Sequence, residues 1–85
     1  MESTSYNLSP TAANFRAERA RHQIFIEELA AAVDPPLNTK LLSMYLSGYR
    51  PMNTSVAQKI GKAFNSFFGG LALFNLNGED SYSPY

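Results

Sequence analysis

The sequence NTKLLSMYLSGYRP, residues 38 to 51, decides which fold the rest of the chain is expected to form. Asn38 is a residue type that caps helices well, because its side-chain oxygen can accept a bond from an unpaired backbone N–H. Gly48 readily takes the left-handed conformation in which many helices end. The two residues therefore predict a helix from about Thr39 to Ser47.

A helical wheel divides this predicted helix into an apolar and a polar side. Leu42, Tyr45 and Leu46 cluster on one side, where they would hold the helix to a core. The other side carries one charge and short polar groups, with a methionine at its edge: Asn38, Thr39, Lys40, Ser43 and Met44. A merely solvated face usually carries more Glu and Lys, whereas these side chains can bond to base edges in the DNA major groove or touch a thymine methyl. A plain amphipathic core helix is the alternative interpretation.

Length and composition limit the class of protein. A chain of 85 residues, 45% hydrophobic, allows one domain with a modest core. The absence of cysteine excludes disulfides, thiolate metal sites and cysteine nucleophiles. No apolar run approaches the roughly 20 residues that span a bilayer, and the first ten residues lack the regions of a signal peptide. We therefore expect a soluble intracellular protein with no membrane association.

The charges of the chain are balanced overall but unevenly distributed. Seven basic and seven acidic residues give a net charge of zero. All seven basic residues lie between residues 13 and 69 with only four acids, so this span has a net charge of 7 − 4 = +3. The remaining acids, Glu2, Glu79 and Asp80, lie near the ends. This is weaker than the basic footprint of many nucleic-acid binders, and on charge alone an ordinarily solvated surface is the simpler interpretation.

Two further helices are predicted before residue 38. Ser9 can cap a helix and Pro10 is tolerated at a first helical position, which predicts a helix over 10–22. The apolar spacing in IEELAAAV predicts a second helix over 26–33. Because no helix breaker lies between them, one bent helix or two helices are both open. Asp34-Pro35-Pro36 must end the second helix, because proline cannot continue it.

A fourth helix is predicted over 55–67, capped by Asn53 or Thr54. Its apolar stripe consists of Val56, Ile60, Phe64 and Phe67. Gly69 and Gly70 would break it, and the apolar run LALFNL, residues 71–76, is either a short strand or a fifth helix. The expected fold is all-α, with four to five short helices around one core.

Enzymatic activity is not expected. The single histidine, His22, falls near the end of a helical stripe. Glu27 and Glu28 are adjacent, so on a helix they diverge by about 100° and cannot act together on one substrate. There is no glycine-rich phosphate loop, no metal-ligand spacing and no plausible catalytic triad. We therefore expect no catalytic residue, no metal, no cofactor and no small-molecule substrate.

Three stretches taken together carry a resemblance to a known family. The family's first helix, leading into a Glu-Glu-Leu-Ala second helix, looks like FRAERARHQIFIEELAAAV. Its recognition helix, ending in Gly-x-Arg-Pro, looks like LNTKLLSMYLSGYRP. The core helix that follows looks like SVAQKIGKAF. Over residues 14 to 64 the chain thus resembles the lambda repressor/Cro-like family of helix-turn-helix DNA-binding domains. It departs from the family pattern at residues 23–26, which lack the usual cap, at Asp34-Pro35-Pro36, which replaces the turn glycine, and at Leu46, where glutamate is frequent.

The resemblance implies a phage repressor or Cro-like transcriptional regulator in the cytoplasm of a bacterial host. Its partner would be double-stranded operator DNA, bound as a homodimer, because one small domain offers few contacts. The base-facing residues implied are Asn38, Thr39, Lys40, Ser43 and Met44. The phosphate contacts implied are Arg16, Arg19, Tyr49 and Arg50, although Arg19 could instead hold a structural ion pair.

The chain is predicted to have four parts. Residues 1–9 form a flexible arm, residues 10–68 the helix-turn-helix domain, residues 69–77 an apolar segment and residues 78–85 a disordered tail. The proposed dimerisation residues are Phe67, Phe68, Leu71, Leu73 and Phe74. The alternative is that the apolar segment folds back on the core of its own chain.

Two alternative functions remain open at this point. A helical protein–protein interaction module is favoured by the neutral charge and the acidic ends of the chain. An antitoxin or a recombination directionality factor would still bind DNA, but in a different genetic system.

Overall fold

The computed structural model describes residues 8–69 and 73–76 of the chain. These residues form four α-helices: α1 (Ala12–His22), α2 (Ile26–Ala32), α3 (Thr39–Ser47) and α4 (Thr54–Ser66). The expected all-α class is confirmed. The assignment of α2 and α3 as a helix-turn-helix stays a prediction. None of these helices has the length and apolar character that crossing a membrane requires.

α1 begins later than the Ser9-Pro10 signal predicts. The cap is Thr11, whose hydroxyl accepts a bond from the backbone N–H of Asn14 at 3.2 Å. The Asn14 side chain donates in turn to the carbonyl of Ser9 at 2.9 Å. Pro10 is fully buried, and the N–H of Thr11 bonds across it to the carbonyl of Ser9 at 2.8 Å. The helix therefore starts two residues further on.

α1 and α2 are two separate helices, which settles the question that the sequence leaves open. Gln23 has a φ of 55° and ends α1 in the left-handed conformation without a glycine. The N–H of Ile24 then bonds to the carbonyl of Arg19 at 3.0 Å. α2 follows from Phe25, whose side chain makes no capping bond and is 68% exposed. The sequence predicts that α2 lacks a side-chain cap, and the structure confirms this.

The connection between α2 and α3 is ordered and packed. α2 ends at Ala32, one residue before the predicted end, because Val33 is extended and fully buried. The N–H of Leu37 donates to the carbonyl of Ala30 at 3.0 Å, which ties the turn back to α2. The peptide bond between Asp34 and Pro35 is cis.

α3 has the bounds that its capping residues predict. The Asn38 side-chain oxygen accepts from the N–H of Lys40 at 2.8 Å. Gly48 has a φ of 84° and donates its N–H to the carbonyl of Tyr45 at 3.2 Å. α3 packs against α1 and α2, and its side chains Leu42 and Leu46 are buried.

α4 supplies the centre of the core. Asn53 caps it, accepting from the N–H of Val56 at 2.8 Å, and the helix ends at Ser66, one residue before the predicted end. The Phe64 ring stacks on Phe15 with the centroids 5.2 Å apart. Phe74 lies 4.8 Å from Phe15 and 5.1 Å from Phe64. Three aromatic rings from three parts of the chain thus form one cluster.

The segment 73–76 pairs with the chain near residue 8, and this corrects the predictions made for residues 71–76 and for the arm 1–9. The N–H of Leu8 donates to the carbonyl of Leu73, and the N–H of Asn75 donates to the carbonyl of Leu8, both at 2.9 Å. Leu8 and Phe74 form an isolated parallel bridge, so the segment is neither a fifth helix nor a full strand within the described residues. Leu8 and Ser9 therefore do not belong to a flexible arm; residues 1–7 lie outside the described part of the chain.

A third correction concerns dimerisation. Leu73 is 7% exposed and Phe74 is 0% exposed, because both fill the core of their own chain. They are not available to a second copy, so the prediction that they form a dimer surface is wrong. Phe67 is 39% exposed and Phe68 is partly buried. Leu71 and the tail 78–85 lie outside the described residues.

Candidate functional site

The outer side of α3 is the surface on which most predicted base-facing residues lie. Asn38, Thr39, Lys40 and Ser43 are all exposed. Met44 is only partly buried at the edge, where its carbonyl accepts the N–H of Arg50 at 3.1 Å. The cap uses the side-chain oxygen of Asn38 and does not use its side-chain N–H groups. We call the surface formed by these five residues the α3 face.

The loop after α3 is fixed to the end of the helix. The Ser47 hydroxyl donates to the carbonyl of Met44 at 3.1 Å and accepts the N–H of Tyr49 at 3.2 Å. The Arg50 guanidinium carbon lies 6.0 Å from the centroid of the Tyr45 ring, at the outer range of a cation–π contact. The Tyr49 side chain is 81% exposed. Tyr49 and Arg50 are therefore accessible at the C-terminal end of the α3 face.

Arg16 joins α1 to the end of α3. Its Nη1 donates to the carbonyl of Leu46 at 2.6 Å. A cation at a helix C-terminus is favourable, because the last carbonyls carry partial negative charge. This bond uses one of the five donors of a guanidinium, so Arg16 has a structural role and still has donors available.

Arg19 holds the α1–α2 connection rather than an ion pair. Its Nη1 donates to the carbonyl of Ile24 at 3.0 Å. Within residues 8–69, Glu18 forms an ion pair with Arg21 at 3.6 Å, and the Nε2 of His22 lies 3.2 Å from the same carboxylate. The alternative that Arg19 pairs with a carboxylate is therefore wrong for the described residues, and its remaining donors are uncompensated by an acid.

Arg16 and Arg19 converge on a cavity of about 230 Å³ beside α3. We call it the arginine pocket, and its lining residues are Arg16, Arg19, Ile26, Ser43, Leu46 and Ser47. Ser43 belongs both to this pocket and to the α3 face. The sequence suggests the two arginines separately, but their convergence with two serines depends on how α1 packs on α3.

The charge around these surfaces is positive. The described residues include all seven basic side chains and four acids, a net charge of 7 − 4 = +3. Of the acids, Glu18 is buried and paired with Arg21 and His22, so it contributes little to the surface. α3 itself contains no carboxylate, and Lys40 is its single charge.

Two residues with distinctive surroundings were not singled out from the sequence. Glu18 is 5% exposed and lies one helical turn from Arg21 and His22, and the His22 ring is edge-on to Phe68 with centroids 4.6 Å apart. The i, i+3 and i, i+4 spacing of opposite charges was the available signal for this cluster. Phe25 gave no signal, because an exposed phenylalanine cannot be distinguished from a core one by spacing alone.

The comparisons with known proteins do not assign a family. Neither the family models, nor the curated proteins, nor the solved structures compared with the chain gave a match. The resemblance to the lambda repressor/Cro-like domains therefore stays a prediction from the sequence pattern. Conclusions on function depend on the α3 face and the groups around it.

Proposed function

We propose that the protein is a sequence-specific DNA-binding transcriptional regulator, of the phage repressor or Cro-like kind, that inserts α3 into the major groove. The observation that carries the proposal is the α3 face. Its helix is capped at both ends and held to the core by Leu42 and Leu46, while short polar side chains occupy its exposed side. The major groove is wide enough for a helix and presents donors and acceptors that such side chains can read.

The accessible residues have different roles in this proposal. Lys40 and Ser43 are central on the α3 face and would contact base edges, with Asn38 and Thr39 at its start. Met44, at the edge, would touch a thymine methyl. Tyr49 and Arg50 would contact phosphates, which supply affinity and register but no sequence choice.

A homodimer remains part of the proposal. One domain of this size makes few base contacts, whereas a dimer reads two half-sites about one helical turn apart. With Leu73 and Phe74 in the core, Phe67 and Phe68 are the described members of the original set that retain exposed surface. Sedimentation of the full chain with and without its selected duplex measures the number of copies bound.

The decisive experiment selects binders from a pool of random duplexes at low salt. We expect a recovered consensus, and we expect Lys40→Ala and Ser43→Ala to relax it at defined positions. Arg50→Ala should weaken all sequences alike, because phosphate contacts do not discriminate between bases. Lys59→Ala is the matched control, because Lys59 is an exposed cation on α4 and outside the α3 face. The absence of any binding from the pool would remove the proposal.

A protein–protein interaction module is the second candidate, and one observation favours it. Phe25 and Tyr49 are 68% and 81% exposed, and large aromatic side chains are common at protein interfaces. Phe25→Ser separates the two candidates. It should leave the selected DNA consensus and affinity unchanged if DNA is the partner. If no duplex is recovered from the pool and Phe25→Ser abolishes self-association, a protein partner is favoured.

A further inference from the structure

We propose that the arginine pocket is a preformed site for one phosphate group, supplied by the DNA backbone or by a free phosphate. In its DNA form, the proposal rests on the function proposed above and adds a defined phosphate position to it. The pocket belongs to α1, α2 and α3 together, so it differs from the loop contacts assigned to Tyr49 and Arg50.

The donors of the pocket are already oriented. Arg16 is anchored by its bond to the carbonyl of Leu46, and Arg19 by its bond to the carbonyl of Ile24. Each anchor uses one terminal nitrogen, so each planar guanidinium keeps further N–H groups for an oxyanion. Anchoring before binding reduces the side-chain entropy that a phosphate would otherwise have to overcome.

None of the residues that line the pocket carries a carboxylate. In the part of the chain that the structure describes, neither guanidinium takes part in an ion pair, and the carboxylate of Glu18 pairs with Arg21 instead. Ile26 and Leu46 supply apolar lining around the two cations. Apolar walls lower the local dielectric, which strengthens the attraction of a bound anion.

The Ser43 hydroxyl in the lining favours a phosphate over a simple counterion. Ser43 is exposed on α3, and its hydroxyl can donate to a phosphate oxygen. Ser47 is already committed to Met44 and Tyr49. Because Ser43 also belongs to the α3 face, a backbone phosphate in the pocket would fix α3 relative to the groove. It would act as a positioning contact.

The first test uses inorganic phosphate and the full chain. In ¹⁵N NMR titrations we expect saturable shifts of the Ser43 amide and of the Arg16 and Arg19 guanidinium signals. Ser43→Asp places a carboxylate in the pocket and should weaken phosphate binding about tenfold. Ser43→Asn is the neutral comparison and should bind phosphate more tightly than Ser43→Asp does. Lys62→Gln, which lies outside the pocket, is the control and should bind as the wild type does.

The variants Ser43→Asp and Ser43→Asn also test the charge of the pocket when no ligand is present. Asp and Asn have similar helix propensities, so a difference between them reflects charge. We expect Ser43→Asp to melt about 4 °C above Ser43→Asn at low salt. The difference should shrink at high salt, where surface charges are screened. Equal melting temperatures would contradict a pocket that attracts negative charge.

The second test measures DNA affinity against salt. Loss of one phosphate contact lowers the slope of log K against log salt by about 0.9. We expect that decrease in Arg19→Gln and an unchanged slope in Lys62→Gln, an exposed cation on α4 that does not line the pocket. Arg19→Gln also removes the bond to Ile24, so folding is checked by circular dichroism before the affinities are compared.

The outcomes distinguish this inference from the proposed function. DNA binding with unchanged slope in Arg19→Gln, together with no phosphate-induced shifts, overturns the pocket and leaves the proposed function intact. Phosphate shifts that Ser43→Asp abolishes, with no DNA binding, support the pocket as a free-phosphate site and overturn the proposed function. Phosphate shifts of equal size in Ser43→Asp overturn the pocket.

Discussion

Gln23 is a single residue whose backbone conformation separates two helices. Its φ of 55° is unfavourable for a residue with a Cβ atom, at a cost of about 1–2 kcal/mol, whereas glycine adopts it readily. Gln23→Gly should therefore raise the free energy of unfolding by about 1 kcal/mol. Urea denaturation monitored by circular dichroism measures it.

Gln23→Ala provides the comparison for this prediction. Alanine keeps the Cβ atom and the same strained φ, so it should give no gain in stability. If Gln23→Gly were less stable than the wild type, the greater freedom of glycine in the unfolded chain would outweigh the relief of strain.

At the scale of an element, α3 combines capping and recognition in one residue. Asn38 caps the helix through its oxygen and lies on the α3 face. Asn38→Asp keeps the cap and should leave the free energy of unfolding within about 0.5 kcal/mol, whereas Asn38→Ala should lose about 1 kcal/mol. Both should weaken DNA binding, because both remove the side-chain N–H donors of Asn38. Aspartate also repels the DNA phosphates. Wild-type DNA affinity in Asn38→Asp would place Asn38 outside the interface.

The elements also show what can be predicted from a sequence. The bounds of α3 follow from Asn38 and Gly48, because capping is a local interaction. The start of α1 does not follow from Ser9-Pro10, because Pro10 is buried and Leu8 bonds to residues 73 and 75. The exposed side of α3 is predictable from the helical spacing of its apolar residues. The arginine pocket is not, because α1 and α3 meet there only after the chain has folded.

At the scale of the whole molecule, Phe74 links the C-terminal segment to the core. It is fully buried, contacts the rings of Phe15 and Phe64, and its backbone bonds to the Asn65 side chain at 2.8 and 3.1 Å. Phe74→Ala should therefore lower the free energy of unfolding by about 3–5 kcal/mol. Urea or thermal unfolding of the full chain measures this loss.

Phe67→Ala is the matched control for Phe74→Ala. Phe67 is 39% exposed, so its truncation should cost well under half as much stability. Sedimentation of both variants separates folding from association. A Phe74→Ala chain that stays as stable as the wild type but changes its number of copies would restore Phe74 to a dimer interface.

The parallel pairing of Leu8 with Phe74 brings two distant parts of the backbone side by side. The first described residue lies beside the last described segment, with Leu8 bonded on both sides to residues 73 and 75. Because the paired segments run parallel, a backbone cyclised near these residues would need a linker long enough to return along them. Its unfolded state would have fewer conformations, so the ring would resist unfolding better than the linear chain.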